Sequence, residues 1–203
     1  MTTPGLPIRV VKLGGSLLDL EGLPDRLARW IAAQAAIASV MVVGGGALAD
    51  AIRAAYGRHG LDEEAAHWLC VRLLSVTAEL VHRLLPHSRL ASRFDELHNR
   101  PEPGSLVLYQ TEQFLREVEP RLTPPHLPHT WDATSDSIAA RLAVALGASE
   151  LVLLKSSLPQ PGTTIERAAA EGYVDRWFPR AARGLAVRAV NLRDDSLAER
   201  VLA

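Results

Sequence analysis

The sequence is poor in two residue types, with one cysteine, Cys70, and two lysines, Lys12 and Lys155, among its 22 basic residues. One cysteine cannot form an internal disulfide or a multi-cysteine zinc site. Because the seven histidines also lack the close spacing of metal ligands, we expect no protein-held metal. No apolar run reaches the roughly 18–20 residues of a membrane span. The N-terminus lacks the basic region and cleavage site of a signal peptide. These absences predict a cytoplasmic protein with no membrane segment.

The net charge and the length of the chain narrow the class of protein further. The formal net charge is −1, with acids and bases spread along the chain, which gives no basic surface for nucleic acid. A chain of 203 residues that is 48% hydrophobic and 22% charged has the composition of a packed globular protein. We therefore expect a single domain spanning residues 1–203, whose partner is a small-molecule substrate.

Short apolar runs alternate with helical patterns along the chain. Strands are predicted over Ile8–Leu13, Ser39–Val43, Ser88–Ala91, Ser105–Tyr109, Leu151–Leu154 and Val187–Asn191. Helices are predicted after Pro24 and over Ala47–Tyr56, Glu63–Leu85, Glu112–Val118, Ser135–Leu146 and Ser196–Leu202. Because the strands are continuously apolar, we expect an α/β protein whose mainly parallel sheet is covered on both faces. Apolar residues surround the Glu63–Leu85 helix on more than one side, which favours a homo-oligomer or a thick core.

Glycines and both lysines follow the predicted strands. The strand Ile8–Leu13 leads into Lys12–Ser16, and the strand Ser39–Val43 leads into Gly44–Gly46. The strand Leu151–Leu154 leads into Lys155–Ser157. Ligands of parallel sheets bind beyond the carboxyl ends of the strands, and glycines let backbone N–H groups approach an anion closely. These segments predict a polyphosphate site, although the glycines alone also suit tight strand–helix turns. Asp136 opens a helix, where it is suited to capping the helix and equally to holding the two ammonium groups or helping to bind Mg²⁺, and these roles are compatible.

Two other glycine motifs are less favoured. The P-loop pattern G-x-x-x-x-G-K-[ST] is absent. Gly44–Ala49 fits a loose dinucleotide form, G-x-G-x-x-A, and Asp62–Glu64 lie near the offset of a ribose-binding acid. Those acids, however, open a long helix instead of ending a strand, and the motif follows the second strand.

Residues of a proline-rich loop are candidates for an acceptor pocket. His126 and His129 lie in this loop, and Trp131 and Asp132 follow it. A core tryptophan and a capping aspartate are equally compatible with the last two positions.

Three segments together resemble the motifs of the amino acid kinase superfamily, which includes acetylglutamate, aspartate and uridylate kinases. They are VVKLGGSLL (Val10–Leu18), VVGGGALAD (Val42–Asp50) and TSDSIAARLAVALGASELVLLKS (Thr134–Ser156). The resemblance implies a three-layer αβα sandwich with a mainly parallel central sheet of about eight strands, and the use of ATP and Mg²⁺.

The resemblance also implies roles for particular residues. Lys12, Asp136 and Lys155 would be catalytic, with Asp136 orienting the two lysines. The residues implied for nucleotide and phosphate binding are Gly14, Gly15, Ser16 and Ser156. The residues considered for acceptor binding are Gly44, Gly45, Gly46, Asp50, Trp131 and Asp132. No catalytic base is needed if the acceptor is already a phosphate or carboxylate anion, because catalysis is then positioning and charge neutralisation.

The short length and several local segments are similar to one subgroup, the furan-phosphate kinases of methanofuran biosynthesis. The segments are TWDATSDSIAA (Thr130–Ala140), LLKSSLP (Leu153–Pro159), GYVDRWFP (Gly172–Pro179) and VNLR (Val190–Arg193). This resemblance implies transfer from ATP to aminomethyl-furan-methyl phosphate, giving its diphosphate and ADP. Asp50 stands where uridylate kinases have an arginine, and an aspartate at this position or at Asp132 suits the amine of such a substrate. Trp131 or a histidine of the proline-rich loop would stack on the furan. A uridylate- or amino acid-type kinase, or a non-catalytic nucleotide-binding or storage relative, remains the alternative.

Overall fold

The computed structural model describes residues 7–34, 37–97 and 102–203, and within them seven strands form one sheet. The strands are β1 (Ile8–Leu13), β2 (Ala38–Val43), β3 (Arg89–Ala91), β4 (Leu106–Tyr109), β5 (Glu150–Lys155), β6 (Val187–Asn191) and β7 (Glu199–Leu202). Their order across the sheet is β3-β4-β2-β1-β5-β6-β7. Every neighbouring pair is parallel except β6 and β7.

Helices connect these strands. They are α1 (Leu23–Ala32), α2 (Gly46–His59), α3 (Glu63–Leu84), α4 (Ser135–Leu146), α5 (Ile165–Ala170) and α6 (Phe178–Ala181). Short 3₁₀ turns cover Gly15–Leu17, Phe94–Leu97 and Glu119–Arg121, and a π-helical turn covers Phe114–Val118.

The two faces of the sheet bury two separate apolar clusters. Along β1, Val10 packs into the cluster with α4, α5 and α6, whereas Val11 and Leu13 pack with α1. This alternation is the period of two that any strand imposes on its side chains. Since both faces are covered by helices, strands with no polar face are stable here.

Helix α3 contributes to both clusters and still leaves apolar side chains exposed. Leu69, Val76 and Leu80 are 39%, 60% and 46% exposed. With the half-buried Leu73 they recur at four- and three-residue intervals, which is the spacing of a helix–helix seam.

The predicted α/β fold with a mainly parallel sheet is confirmed, but two details differ. The predicted closing helix over Ser196–Leu202 is wrong, because Glu199–Leu202 pairs antiparallel with β6. Asp194 accepts hydrogen bonds from the N–H and hydroxyl of Ser196, which forms a turn and returns the chain along the sheet edge. The segment that follows this turn, residues 197–203, is too short to form a stable helix by itself. The described residues form seven strands where about eight were expected.

None of the helices in the described ranges is both long and apolar enough to cross a membrane. Residues 1–6, where the signal-peptide expectation partly lies, and His98 are outside the described residues. The expectation of a single domain over residues 1–203 stays a prediction.

Candidate active site

Parallel pairing of β1 with β5 brings the two lysines of the chain to the same sheet edge, one on each side of a single carboxylate. Lys12 Nζ lies 2.9 Å from Asp136 Oδ1, and Lys155 Nζ lies 2.9 Å from Asp136 Oδ2. Lys12 and Asp136 are each 5% exposed. Asp136 therefore contacts both ammonium groups at once, and the catalytic roles of the three residues stay a prediction.

The charges of this cluster are strongly coupled. Burial by itself would raise the pKa of Asp136, but the adjacent Lys12 and Lys155 outweigh it and lower the pKa to about 2. Burial lowers the pKa of Lys155 to about 8, although Asp136 opposes this shift. At neutral pH the cluster therefore carries a net positive charge in a site that suits anions.

The two glycine-rich turns touch one another. A Cβ on Gly15 would lie 2.1 Å from the Gly46 nitrogen, and one on Gly44 would lie 2.7 Å from the Gly15 nitrogen. Gly46 also has a φ of +54°, which residues with a side chain rarely adopt. The N–H of Gly14 donates to Leu154 O at 2.8 Å, so that group serves the sheet and is not free for an anion.

Two hydroxyls bridge the turns that follow β1 and β5. Ser16 Oγ and Ser156 Oγ are 2.7 Å apart and exposed. Arg193 donates to the Ser16 carbonyl at 2.9 Å and pairs with Asp19 at 2.5 Å, which holds the turn after β1 from the far side. The predicted phosphate-binding serines thus lie together.

A cavity of about 450 Å³ lies beside the glycine turns, between α2, α3 and the start of α4. Its lining includes predicted acceptor residues, namely Gly44, Gly45, Gly46, Asp50 and Trp131. Its inner wall is apolar, with Val71, Leu74 and Ile138. Asp132 does not line this cavity but a neighbouring one, where Arg176 lies 3.7 Å away.

Arg53 is a cation of this cavity that the sequence interpretation missed. Its Nη1 donates to Asp50 Oδ1 at 2.8 Å, and its guanidinium carbon lies 4.9 Å from the ring centroid of Trp131. Asp50 is therefore paired instead of being a free negative charge. The signal was available, because residues three apart on a helix share one face.

The loop that carries Trp131 is fastened to the first turns of α3. Glu63 accepts from the Trp131 N–H at 3.2 Å, and Glu64 contacts the His129 Nδ1 at 3.1 Å. His67 lines the cavity and stacks on His129, and burial lowers the pKa of His67 to about 4. A neutral imidazole thus faces the cavity at pH 7.

Asp62, a candidate of the dinucleotide-binding hypothesis, and His126, a candidate of the acceptor pocket, do not line this cavity. Asp62 caps α3 by accepting from the Ala65 N–H at 2.9 Å, which is a helix-start role and not a ribose contact. His126 lies 3.8 Å from the buried Glu119 and is not among the residues that line the cavity.

Helix α4 receives its cap from a distant residue instead of from Asp136. The Asp175 carboxylate accepts from the N–H groups of Thr134 and Ser137 at 2.8 and 3.0 Å. The carboxylate oxygens of Asp136 instead contact the two lysines.

A protein-held magnesium ion does not fit the cluster of Lys12, Asp136 and Lys155 as the structure describes it. No group of three or more His, Cys, Asp or Glu side chains suited to a metal occurs in the part of the chain that the structure describes. Both oxygens of Asp136 are already paired with lysines.

Comparisons with known proteins bear on the family and the fold of the chain. The profile of the amino acid kinase family matches residues 7–157, well over half of the chain. No curated protein matches the sequence. The UMP kinase from Ureaplasma parvum superposes with a TM-score of 0.65 and 13% identity, over 93% of this chain and 91% of its own.

Two further solved structures show the same fold. The uridylate kinase from Archaeoglobus fulgidus has a TM-score of 0.61 and 16% identity, over 98% of this chain and 91% of its own. The aspartate kinase from Synechocystis has a TM-score of 0.60 and 17% identity, and this chain spans 40% of its length while 97% of this chain is covered. On the family match, the chain belongs to the amino acid kinase family.

Proposed function

We propose that this protein is an ATP-dependent small-molecule kinase that transfers the γ-phosphoryl group to a phosphate-bearing acceptor. The observation that carries the proposal is the buried cluster of Lys12, Asp136 and Lys155 beside a small cavity. Phosphoryl transfer is catalysed by positioning and by neutralising charge on the phosphate oxygens. Two ammonium groups fixed on one carboxylate supply both.

Each group has a defined task in this proposal. Lys12 contacts the phosphoryl group being transferred, and Lys155 contacts the nucleotide phosphates. The Ser16 and Ser156 hydroxyls and the first turn of α2 offer further donors, since the first N–H groups of a helix have no partner within the helix. Magnesium enters as part of the Mg-ATP substrate and supplies additional charge neutralisation.

The acceptor that we propose is aminomethyl-furan-methyl phosphate, which would become its diphosphate. A cavity of about 450 Å³ suits a small acceptor, and the Trp131 indole offers a flat apolar wall for a furan ring. Arg53 is a cation for the acceptor phosphate. Asp50 and Asp19 also line the cavity; they pair with Arg53 and Arg193 through Oδ1, but both side chains are largely exposed and can also accept from a primary amine. No general base is required, because the attacking phosphate is already an anion.

A uridylate kinase is the second candidate, and one observation favours it. Arg53 beside Trp131 places a guanidinium and an aromatic surface in the same cavity, which also suits a nucleoside monophosphate. A non-catalytic relative would bind a nucleotide without releasing ADP.

The test is ADP release with Mg-ATP and a panel of acceptors. The panel contains aminomethyl-furan-methyl phosphate, UMP, aspartate, acetylglutamate and a control without acceptor. We expect turnover with the furan phosphate alone, and its loss in a folded Lys12→Ala variant. Turnover with UMP or an amino acid overturns the acceptor and keeps the chemistry. If the protein does not bind ATP, the proposal that it is a kinase is overturned.

A further inference from the structure

One carboxylate outside the cluster receives five hydrogen bonds. Asp175 Oδ2 accepts from Thr134 N, Thr134 Oγ1 and Ser137 N at 2.8, 2.9 and 3.0 Å. Asp175 Oδ1 accepts from Ser137 Oγ at 2.5 Å and from Trp177 N at 3.1 Å. Three of these partners are backbone N–H groups and two are hydroxyls. Burial and the nearby Asp136 raise the pKa of Asp175, whereas the hydrogen bonds from Ser137 and Thr134 favour its ionised form.

These bonds fix the first turn of α4, which has no other side-chain cap. Thr134 is the N-cap residue, and its own side chain accepts no capping hydrogen bond. Asp175 instead satisfies two of the unpaired N–H groups at the helix start. Asp136 lies between Thr134 and Ser137 in the sequence, and is therefore held in place by the turn that Asp175 fastens.

The same segment reaches the second member of the cluster. Lys155 Nζ donates to the Tyr173 carbonyl at 2.8 Å and lies 5.2 Å from the Tyr173 ring centroid. The Tyr173 hydroxyl donates to the Ser157 carbonyl at 3.0 Å. Tyr173 thus positions both the Lys155 ammonium and the turn that follows β5.

We propose that residues 173–177 form a positioning segment that sets the geometry of the Lys12–Asp136–Lys155 cluster. Asp175 fixes Asp136 through α4, and Tyr173 fixes Lys155 through its carbonyl. This segment lies outside residues 7–157, which match the family profile. The catalytic consequence rests on the proposed kinase function, whereas the placement of the lysines does not.

The charge of Asp175 also bears on the lysine. Lys155 faces Lys12 from β1, Asp136 from α4, and both Tyr173 and Asp175 from the positioning segment. Removing the Asp175 charge withdraws a favourable interaction from the Lys155 ammonium. We therefore expect the Lys155 pKa to fall below its value of about 8 in an Asp175→Asn variant.

The experiment uses the two lysines as reporters. With ¹³C-lysine labelling, NMR of the full chain gives signals from Lys12 and Lys155 only, and each is titrated in the wild type and in Asp175→Asn. We expect the Lys155 titration to move to lower pH and kcat to fall about tenfold to a hundredfold, while KM for the acceptor stays within about twofold. Asp194→Asn is the control, because Asp194 makes a similar turn with Ser196 but is exposed.

The outcomes separate this inference from the kinase proposal. If the wild type transfers no phosphoryl group, the kinase proposal fails and the lysine titrations still test the positioning segment. An unchanged Lys155 titration in folded Asp175→Asn overturns the inference. If that variant does not fold, Ser137→Ala removes one of the five hydrogen bonds and is expected to give a smaller loss of kcat with shifted lysine signals. Unchanged signals and kcat in that variant overturn the inference as well.

Discussion

Replacing Asp136 with asparagine keeps the shape of the site but removes the charge between two ammonium groups. Each lysine nitrogen lies 2.9 Å from a carboxylate oxygen, and the site is buried. An ion pair at about 4 Å contributes about 4 kcal/mol at an effective dielectric constant near 20. Breaking a buried pair from one side costs about 3–5 kcal/mol, because the remaining charges stay uncompensated. We expect the free energy of unfolding to fall by about that amount.

Two measurements on Asp136→Asn test this reasoning together. Urea unfolding is compared with and without tripolyphosphate, and the anion is expected to stabilise the variant more than the wild type because two ammonium groups are then unneutralised. The same 3–5 kcal/mol, if lost from the transition state, lowers kcat by about 10²–10⁴-fold. Asp194→Asn serves as the control at an exposed carboxylate. Wild-type unfolding and wild-type kcat in Asp136→Asn would refute the role of this carboxylate.

Three further predictions concern other parts of the molecule. Gly15→Ala is expected to lose about 1–3 kcal/mol of stability in urea unfolding, because its Cβ would meet the Gly46 backbone. In the control Gly57→Ala, the new Cβ meets no atom within 4 Å, and the stability should rise by up to about 1 kcal/mol. An unchanged stability of Gly15→Ala would contradict this packing. The kcat/KM profile should decline above about pH 8 as Lys155 loses its proton, and a flat profile up to pH 10 contradicts the assignment. We propose that the exposed apolar seam of α3, with Leu69, Val76 and Leu80, binds a second copy of the chain. Val76→Asp should then convert a dimer to a monomer in sedimentation. A wild-type protein that sediments as a monomer would contradict this proposal.

Local patterns were sufficient for the parallel strands and for the sheet edge at which the two lysines meet. Continuous apolar runs ending in glycine or lysine predicted β1, β2 and β5, and parallel pairing then brought Lys12 and Lys155 together. The rule that ligands bind at the carboxyl ends of parallel strands identified this edge before any distance was known.

Contacts between distant segments were beyond the reach of those patterns. Asp175 caps a helix that begins 40 residues before it in the sequence, and nothing in its local sequence indicates that partner. The tail was predicted as a helix because its strand character arises only from pairing with β6. The contact of Arg53 with Asp50, by contrast, follows from local sequence, because residues three apart on a helix share one face.

The most direct test of the central claim is ³¹P NMR of the protein with Mg-ATP and aminomethyl-furan-methyl phosphate. Phosphoryl transfer predicts that the acceptor's single phosphate signal is replaced by two coupled doublets of a diphosphate, in step with the appearance of ADP. Folded Lys12→Ala should leave the acceptor signal unchanged. ATP consumption that yields only inorganic phosphate, or an unaltered acceptor signal with wild-type protein, would contradict the account.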